Sequence, residues 1–88
     1  MRDNPERHRF EADLGDGSIA IAEYTLPAGK IMFTHTEVPK ELEGKGIGSR
    51  LVKGVLDQVR ADGLKVVAQC PFVKGYIGKH AEYADLLK

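Results

Sequence analysis

The sequence predicts a small α+β domain in which three antiparallel strands are followed by a helix, a parallel strand and a C-terminal helix. Two observations predict this order. Strand-type segments rich in β-branched and aromatic residues, separated by Gly and Pro turn signals, occupy the chain as far as residue 38. From Gly46 onward the apolar residues recur at helical spacing instead. A length of 88 residues allows one modest hydrophobic core, which leaves no room for a separate substrate domain.

The predicted meander has its strands at residues 9–14, 18–26 and 30–38. Gly15-Asp16-Gly17 is a turn signal between the first two strands, and Pro27-Ala28-Gly29 turns the chain before the third. The second strand is apolar on both faces for most of its length, which indicates a central position in the sheet. The polar residues 1–8 are expected to be disordered.

An amphipathic helix is predicted to begin at Gly46 and to end at Gly63, a residue type typical of helix C-termini. Charged side chains such as Arg50 and Asp57 take its other face. Its apolar face is made of Ile47, Leu51, Val55, Leu56 and Val59. This pattern predicts a helix that lies on the sheet.

Residues 64–69 form the fourth predicted strand, which should run parallel to the third because a helix intervenes. Pro71 is suited to a first helical position and begins a second helix that extends to about Lys79. Residues 80–87 form a last short helical or irregular segment. Its expected core contacts are Tyr83 and either Leu86 or Leu87.

Composition and charge argue against several classes of function. Thirteen basic residues balance thirteen acidic ones, so no global field attracts nucleic acid or an anionic membrane. No apolar run approaches the ~20 residues of a membrane span, and the N-terminal segment is too polar for a signal peptide, so we expect a cytoplasmic protein. A single cysteine, Cys70, excludes an internal disulfide and a Cys-rich zinc site, and no metal is expected.

Three alternating glycines, Gly44, Gly46 and Gly48, lead directly into the first predicted helix. Glycines let the backbone approach a ligand closely, and the unpaired amides and positive dipole end of a helix N-terminus favour an anion. Lys45 and Arg50 add positive charge. The segment therefore predicts a phosphate-binding loop, with a tight glycine turn into an ordinary helix as the alternative.

Two common phosphate motifs do not match this segment. A Walker A loop needs four residues between its first glycine and a Gly-Lys-Ser/Thr ending, which is absent here. A dinucleotide fingerprint needs Gly-x-Gly-x-x-Gly after a buried strand, whereas here the spacing is Gly-x-Gly-x-Gly and the charged residues 39–43 precede it.

The segment at residues 43–48 does resemble the loop of the acetyl-coenzyme A binding superfamily: Gln or Arg, two residues, Gly, one residue, then Gly or Ala. Glu43 departs from that pattern at the first position. Four further landmarks follow in order: His35-Thr36-Glu37-Val38-Pro39, Lys65-Val66-Val67, Cys70-Pro71-Phe72 and Lys79-His80-Ala81-Glu82-Tyr83. Together they resemble the small YjdJ-type branch of the GCN5-related N-acetyltransferases (GNAT), over residues 10–87.

The resemblance implies a minimal GNAT-like fold, with residues 9–88 as a single acetyl-coenzyme A-binding domain that lacks the N-terminal helices forming the substrate wall in longer relatives. The pantetheine arm would lie along residues 35–38 and the diphosphate on the amides of residues 44–49. The cofactor-binding residues that it implies are Val38, Gly44, Lys45, Gly46, Ile47, Gly48, Ser49 and Arg50, with Lys79 and His80 at the adenosine end.

An amine that attacks a thioester must be neutral, so a base must remove a proton from an ammonium group of ordinary pKa about 10.4. Glu37 or His35 is the candidate base, directly or through water. The alternatives are a solvated carboxylate at a strand end and a structural histidine. Tyr76 is the candidate acid for the departing coenzyme A thiolate, a frequent role of tyrosine in the superfamily, or else a packing residue.

Cys70 stands just before a predicted helix N-terminus, a position that lowers the pKa of a thiol. Three interpretations are open: an acetyl-accepting nucleophile, a wall of the thioester pocket, or a small buried apolar residue.

The sequence thus predicts an acetyl-coenzyme A-dependent N-acetyltransferase with an open active site. Its expected partners are acetyl-coenzyme A and an exposed amine, such as a lysine side chain, a protein N-terminus or a polyamine, and it should be a monomer or weak homodimer. A non-catalytic acyl-coenzyme A-binding regulatory module is the alternative. A phosphate- or RNA-binding domain is disfavoured by the zero net charge and by aromatic residues that form no stacking platform.

Overall fold

The computed structural model describes residues 2–14, 17–40 and 46–87. Within these residues five strands form one mixed sheet in sequential order. They are β1 (Arg2–Asn4), β2 (Arg9–Asp13), β3 (Ile19–Thr25), β4 (Lys30–Glu37) and β5 (Lys65–Ala68). The helices are α1 (Ile47–Ala61) and α2 (Pro71–Lys79), with short 3-10 helices at Pro5–Arg7 and Ala81–Leu87. The small α+β fold predicted from the sequence is confirmed.

The three predicted antiparallel strands correspond to β2, β3 and β4, and β3 lies at the centre of the sheet as expected. Its apolar run Ile19-Ala20-Ile21-Ala22 has strands on both sides, which explains why both faces are apolar. After α1, β5 pairs parallel with β4 and places Val66 opposite Ile31. The predicted parallel strand is therefore confirmed.

The N-terminal segment was expected to be disordered, but in the structure β1 pairs antiparallel with β2 along its length. Polar contacts hold it there. The buried Glu11 carboxylate accepts hydrogen bonds from Arg2 Nε at 3.1 Å and Arg9 Nε at 2.7 Å. Asp3 accepts a 2.6 Å hydrogen bond from the buried Tyr24 hydroxyl. These contacts are all polar, so the apolar pattern gave no sign of the strand.

Both helices pack on the same face of the sheet. That face carries Phe10, Ala20, Ala22 and Phe33, which belong to one hydrophobic core with the apolar positions of the helices. The core side of α1 contains the predicted Leu51, Val55, Leu56 and Val59 together with Val52, while Ile47 is half-buried. Ile19, Ile21 and Met32 alternate to the opposite face and lie outside this core. The fold therefore has two layers and leaves one sheet face uncovered by α1 and α2.

The end of α1 forms at Gly63 as predicted. Gly63 has φ +71°, its N–H donates to Arg60 O at 3.1 Å, and Leu64 N–H donates to Val59 O at 3.2 Å. This pair of bonds is a Schellman motif, which requires a residue tolerant of positive φ.

The C-terminal 3-10 helix buries Tyr83 and Leu86 and leaves Leu87 46% exposed, which identifies Leu86 as the core contact of the two leucines. Neither α1 nor α2, nor any other helix of the described ranges, has the length and apolar content of a membrane span.

Candidate active site

The site is built where the parallel strands β4 and β5 separate. Their last paired residues are Phe33 and Ala68, after which Cys70 N–H donates to Phe33 O at 2.9 Å. β4 continues to Glu37 and stays paired with β3, where Glu37 lies opposite Ile21. The last four residues of β4 thus form one side of a wedge, which has no strand partner on its β5 side among the described residues.

A β-bulge lies at the start of this wedge. Tyr24 is opposite Phe33 while Glu23 is opposite His35, so Thr34 is an extra residue in β4. Its hydroxyl donates to Glu23 O at 3.4 Å. Because a bulge bends and twists its strand, β4 changes direction where β5 leaves it.

The N-terminus of α1 lies beside β4. Its cap is Gly46, whose φ of +78° is a conformation that favours glycine. The first helical hydrogen bond joins Arg50 N–H to Gly46 O at 3.0 Å, so the amides of Ile47 to Ser49 have no acceptor within the helix. No side chain of the described residues caps this end, and no acidic residue lies in the first turn. These features suit an anion. Gly44 and Lys45 lie outside the described residues, so their predicted roles stay predictions.

Gly48 is buried, and the groups that lie close to its backbone are side chains of the protein itself. A Cβ at this position would lie 2.7 Å from Phe72 Cζ and 3.3 Å from Val38 Cγ2. Gly48 therefore allows the Phe72 ring and Val38 to pack against the first turn of α1. Val38, predicted to bind the cofactor, is half-buried against the core at the end of β4.

The exposed side chains of the first turn of α1 lie on two sides of the helix. Ser49 lines a cleft of about 270 Å³ between α1 and α2. Ile47 and Arg50 line a separate cavity against Ala12 and Leu14 of the β2 end. The predicted cofactor residues of this turn are thus divided between two surfaces.

The cleft on the α2 side brings together Ser49, Tyr76, Lys79 and His80, four of the predicted site residues. The Tyr76 and His80 rings are stacked at 3.9 Å with an interplanar angle of 13°. Tyr76 is buried and Lys79 is exposed. Residues near the chain end therefore reach the first turn of α1, as their assignment to one cofactor requires.

Cys70 is the N-cap residue of α2, and its side chain is only 3% exposed. Its thiol donates to Thr36 Oγ1 at 3.4 Å, across the wedge. Burial raises the pKa of the thiol, but the thiolate can accept hydrogen bonds from the Thr36 hydroxyl and from the amides of Val73, Phe72 and Thr36, which outweigh burial and leave the pKa below its ordinary value. The wedge thus contains a buried thiol whose pKa is lower than that of an ordinary cysteine.

His35 and Glu37 point to the opposite side of β4 from Cys70, because side chains alternate along a strand and Thr36 faces the thiol. Both are exposed, with 3.6 Å between His35 Nε2 and Glu37 Oε2. The structure therefore does not gather the four predicted catalytic residues into one cluster. It places the two candidate bases on the uncovered sheet face and Cys70 and Tyr76 on the helix side.

Sequence reasoning missed three residues that shape this site: Thr34, Thr36 and Phe72. Thr36 lies between His35 and Glu37 in sequence. Because side chains alternate along a strand, this position alone could have indicated that Thr36 faces the opposite side of the sheet from the two candidate bases. The bulge at Thr34 and the packing of Phe72 on Gly48 depend on tertiary contacts and leave no local sequence signal.

The described residues fit a diphosphate-bearing thioester cofactor. The wedge offers a β4 edge that has no strand partner among the described residues, and the amides at the α1 N-terminus offer donors to an anion beside it.

A mixed sheet whose parallel strands separate beside a glycine-capped helix agrees with the acetyltransferase fold that the sequence resembles. The model of the GCN5-related N-acetyl-transferase family matches residues 9–86, so the chain belongs to that family. It is an N-acetyltransferase domain, and members of the family generally use acetyl-coenzyme A.

Known relatives agree with this membership. The chain is 32% identical over 77 residues to Protein NATD1 of Mus musculus, covering 82% of this chain and 67% of that protein. It is 31% identical over 77 residues to Protein NATD1 of Xenopus tropicalis, with 82% and 68% covered. The solution NMR structure of a GCN5-like protein from Staphylococcus aureus superimposes with a TM-score of 0.70 at 32% identity, covering 90% of this chain and 79% of that one.

Proposed function

We propose that the protein transfers the acetyl group of acetyl-coenzyme A to an exposed primary amine. The observation that carries this proposal is the wedge between β4 and β5, which opens beside the uncapped N-terminus of α1 and contains the Cys70 thiol. Acetyl-coenzyme A supplies the acetyl group as an activated thioester.

Two sets of backbone groups hold the donor. The β4 edge from Thr34 to Val38 hydrogen-bonds the amide-containing arm in the place of a strand, and the amides of Ile47 to Ser49 hold the diphosphate. Arg50 adds positive charge from the exposed side of the same turn. Gly44 and Lys45 are proposed to extend this cradle.

The acceptor amine approaches from the sheet face that α1 and α2 leave uncovered. His35 and Glu37 stand on that face at the end of β4, and both side chains are more than half exposed. Either can take the ammonium proton directly or through one water. An uncovered face admits an amine carried by a larger molecule, so a protein lysine, a protein N-terminus or a polyamine is the proposed acceptor class.

On the helix side, Cys70 forms the wall of the acyl pocket. Its thiol is fixed by Thr36 and buried, so it lines the end of the wedge and excludes water from it. Tyr76 is proposed to supply the phenolic proton that neutralises the departing thiolate.

The proposal is tested by measuring coenzyme A release from acetyl-coenzyme A in the presence of a panel of amines. We expect saturable turnover with at least one peptide or polyamine, and a lower kcat in Glu37→Gln or His35→Ala. Cys70→Ala should retain most activity, whereas an acetylated Cys70 in intact mass spectra would assign it a covalent role. Donor binding with slow thioester loss and no accepting amine would instead favour a regulatory acyl-coenzyme A-binding module.

A further inference from the structure

We propose that the acceptor amine stands at the end of an unbranched stem, as in a lysine side chain or a polyamine, and that amines bonded directly to a branched carbon, such as a protein N-terminus, are excluded. This inference rests on the proposed function and narrows its acceptor class. It follows from the way in which β4 divides the site. The candidate bases His35 and Glu37 lie on one face of the sheet, and Cys70 lies on the other.

The helix side of the wedge is closed. The Cys70 thiol is only 3% exposed and lies 3.4 Å from Thr36 Oγ1, so it spans the gap between α2 and β4. Next to this contact, the Cys70 N–H donates to Phe33 O at 2.9 Å. A thioester held at the β4 edge against this wall is therefore reached from the sheet face that α1 and α2 leave uncovered.

Two side chains stand at the entrance on that face. His35 and Glu37 are 56% and 67% exposed, with 3.6 Å between Nε2 and Oε2. Side chains extend about 5 Å from a sheet, since packed sheets lie ~10 Å apart. The backbone of a protein acceptor therefore rests on the tips of these side chains, and its amine must extend over a similar distance to meet the β4 edge.

A lysine stem has the required length. Five bonds of about 1.5 Å separate its Cα from Nζ, so the extended side chain reaches roughly 6 Å from the backbone. A polyamine offers the same terminal amine on an unbranched chain. An N-terminal amine is bonded to Cα itself, so it would meet the thioester only if the backbone and side chain of its residue entered beside His35 and Glu37.

The charge of the uncovered face favours a cation at this entrance. Glu23 is half-buried directly opposite His35, and its carboxylate forms no ion pair with a described residue. Arg9, which is opposite Glu23 in β2, is bonded to Glu11 instead, with Nε at 2.7 Å. Because paired positions of adjacent strands lie about 5 Å apart, Glu23 attracts the incoming ammonium group while His35 or Glu37 takes its proton.

The transfer balances with these groups. The ammonium group gives one proton to His35 or Glu37, and the neutral nitrogen forms a bond to the acyl carbon. The carbon–sulfur bond then breaks, the nitrogen loses a second proton, and the departing thiolate takes one up. One acetyl group is transferred and one proton is released.

The first experiment compares kcat/KM for two matched acceptors at about pH 8. One is a peptide with a single lysine and a blocked N-terminus, and the other has alanine in place of lysine and a free N-terminus. We expect the lysine peptide to be preferred by at least about tenfold. The comparison is stringent, because at about pH 8 roughly half of the N-terminal amines are neutral, but fewer than about one lysine in a hundred.

A ladder of stems measures the reach directly. Replacing the lysine by ornithine, diaminobutyrate or diaminopropionate shortens the stem by one methylene at a time, and each step should lower kcat/KM by about tenfold. Spermidine and ethylenediamine make the same comparison among small amines. The better of the lysine peptide and spermidine tells a protein acceptor from a polyamine.

Glu23→Gln should raise the KM of the lysine peptide by about two- to fivefold with little change in kcat, the size of one surface charge interaction. Glu6→Gln, in the 3-10 helix between β1 and β2, is the matched control and should leave both constants unchanged. Thermal unfolding of each variant verifies that it is folded.

Equal or better use of the free N-terminus, or a kcat/KM that does not depend on stem length, would overturn the inference and leave the proposed function intact. An unchanged KM in Glu23→Gln would overturn the role of Glu23. Absence of turnover with every amine would instead reject the proposed function.

Discussion

At the scale of single residues, the chemistry of the wedge depends on what surrounds Cys70. Its position before a helix was visible in the sequence, but its partner was not, because Thr36 is 34 residues away. The hydroxyl and nearby amides stabilise a thiolate enough to overcome burial and lower the pKa. The environment is therefore more polar than that of a cysteine that only fills space.

Thr36→Val should raise the pKa of Cys70, because it removes the hydroxyl that bonds the sulfur and keeps the volume of the side chain. The ultraviolet absorbance of the thiolate, followed against pH, measures the shift. The pKa of the thiol is lower in the folded state than in the unfolded state, where it is about 9. The free energy of unfolding therefore increases as pH rises from the folded pKa towards about 9. That gain in stability should shrink in Thr36→Val, and an identical thiol titration in the two proteins would contradict the assignment.

Gly48→Ala should destabilise the protein by about 1 to 3 kcal/mol, because its Cβ would overlap the Phe72 ring at 2.7 Å. The Phe72 ring is 44% exposed and can swing outward, so the lower end of this range is expected. In a Phe72→Ala background the same substitution should cost much less. Urea unfolding of the four proteins measures the coupling, and strictly additive effects would show that Phe72 does not restrict position 48.

At the scale of elements, the strands and helices were predictable from the sequence, but the β-bulge and the strand separation that form the wedge were not. Strand-type composition between Gly and Pro turn signals predicted β2 to β4, helical spacing predicted α1, and Pro71 predicted the start of α2. The intervening helix predicted the parallel pairing of β4 with β5. The bulge at Thr34 and the separation of β5 after Phe33 are seen only in the pairing of β4 with its two neighbours. Pairing between strands that are distant in sequence leaves no local signal at these residues.

The C-terminal 3-10 helix is held against α1 by a hydrogen bond and an ion pair. Tyr83 donates to Asp57 Oδ1 at 2.6 Å, and Arg60 forms a 2.8 Å ion pair with Asp85. Because Tyr83 also packs near Tyr76, with 6.0 Å between ring centroids, this attachment supports one wall of the cleft. The segment that the sequence predicted as short and helical or irregular thus helps to position this wall of the cleft.

Tyr83→Phe should lower the free energy of unfolding by about 1 kcal/mol at neutral pH, since it removes the hydrogen bond to Asp57. Hydrogen bonds from Lys53, and then from Tyr83, lower the pKa of Asp57. These contacts therefore stabilise the fold fully above about pH 3.8, and the stabilisation is lost as pH falls through the folded pKa. The difference between wild type and variant should therefore narrow in acid. Urea unfolding at neutral and acidic pH measures it, and an equal difference at both would contradict a role for the Asp57 carboxylate.

At the scale of the whole molecule, the sequence predicted the architecture and the family, but not that the candidate catalytic residues lie on two different faces of the sheet. Apolar periodicity placed most of the core, yet β1 is held by the Glu11 and Asp3 contacts, which polar composition concealed. Likewise, His35 and Glu37 were expected near Cys70, but alternation along β4 separates them across the sheet. In the proposed function, the acceptor and the donor therefore use different sides of β4.

Amide NMR shifts during titration with acetyl-coenzyme A test most directly the proposal that the wedge and the α1 N-terminus hold the acyl donor. We expect saturable shifts at sub-millimolar donor for the amides of Thr34, Thr36, Gly48 and Ser49. The amides of β1, at the opposite edge of the sheet, should not move. Saturable shifts confined to other regions, or no saturation at millimolar donor, would contradict the account.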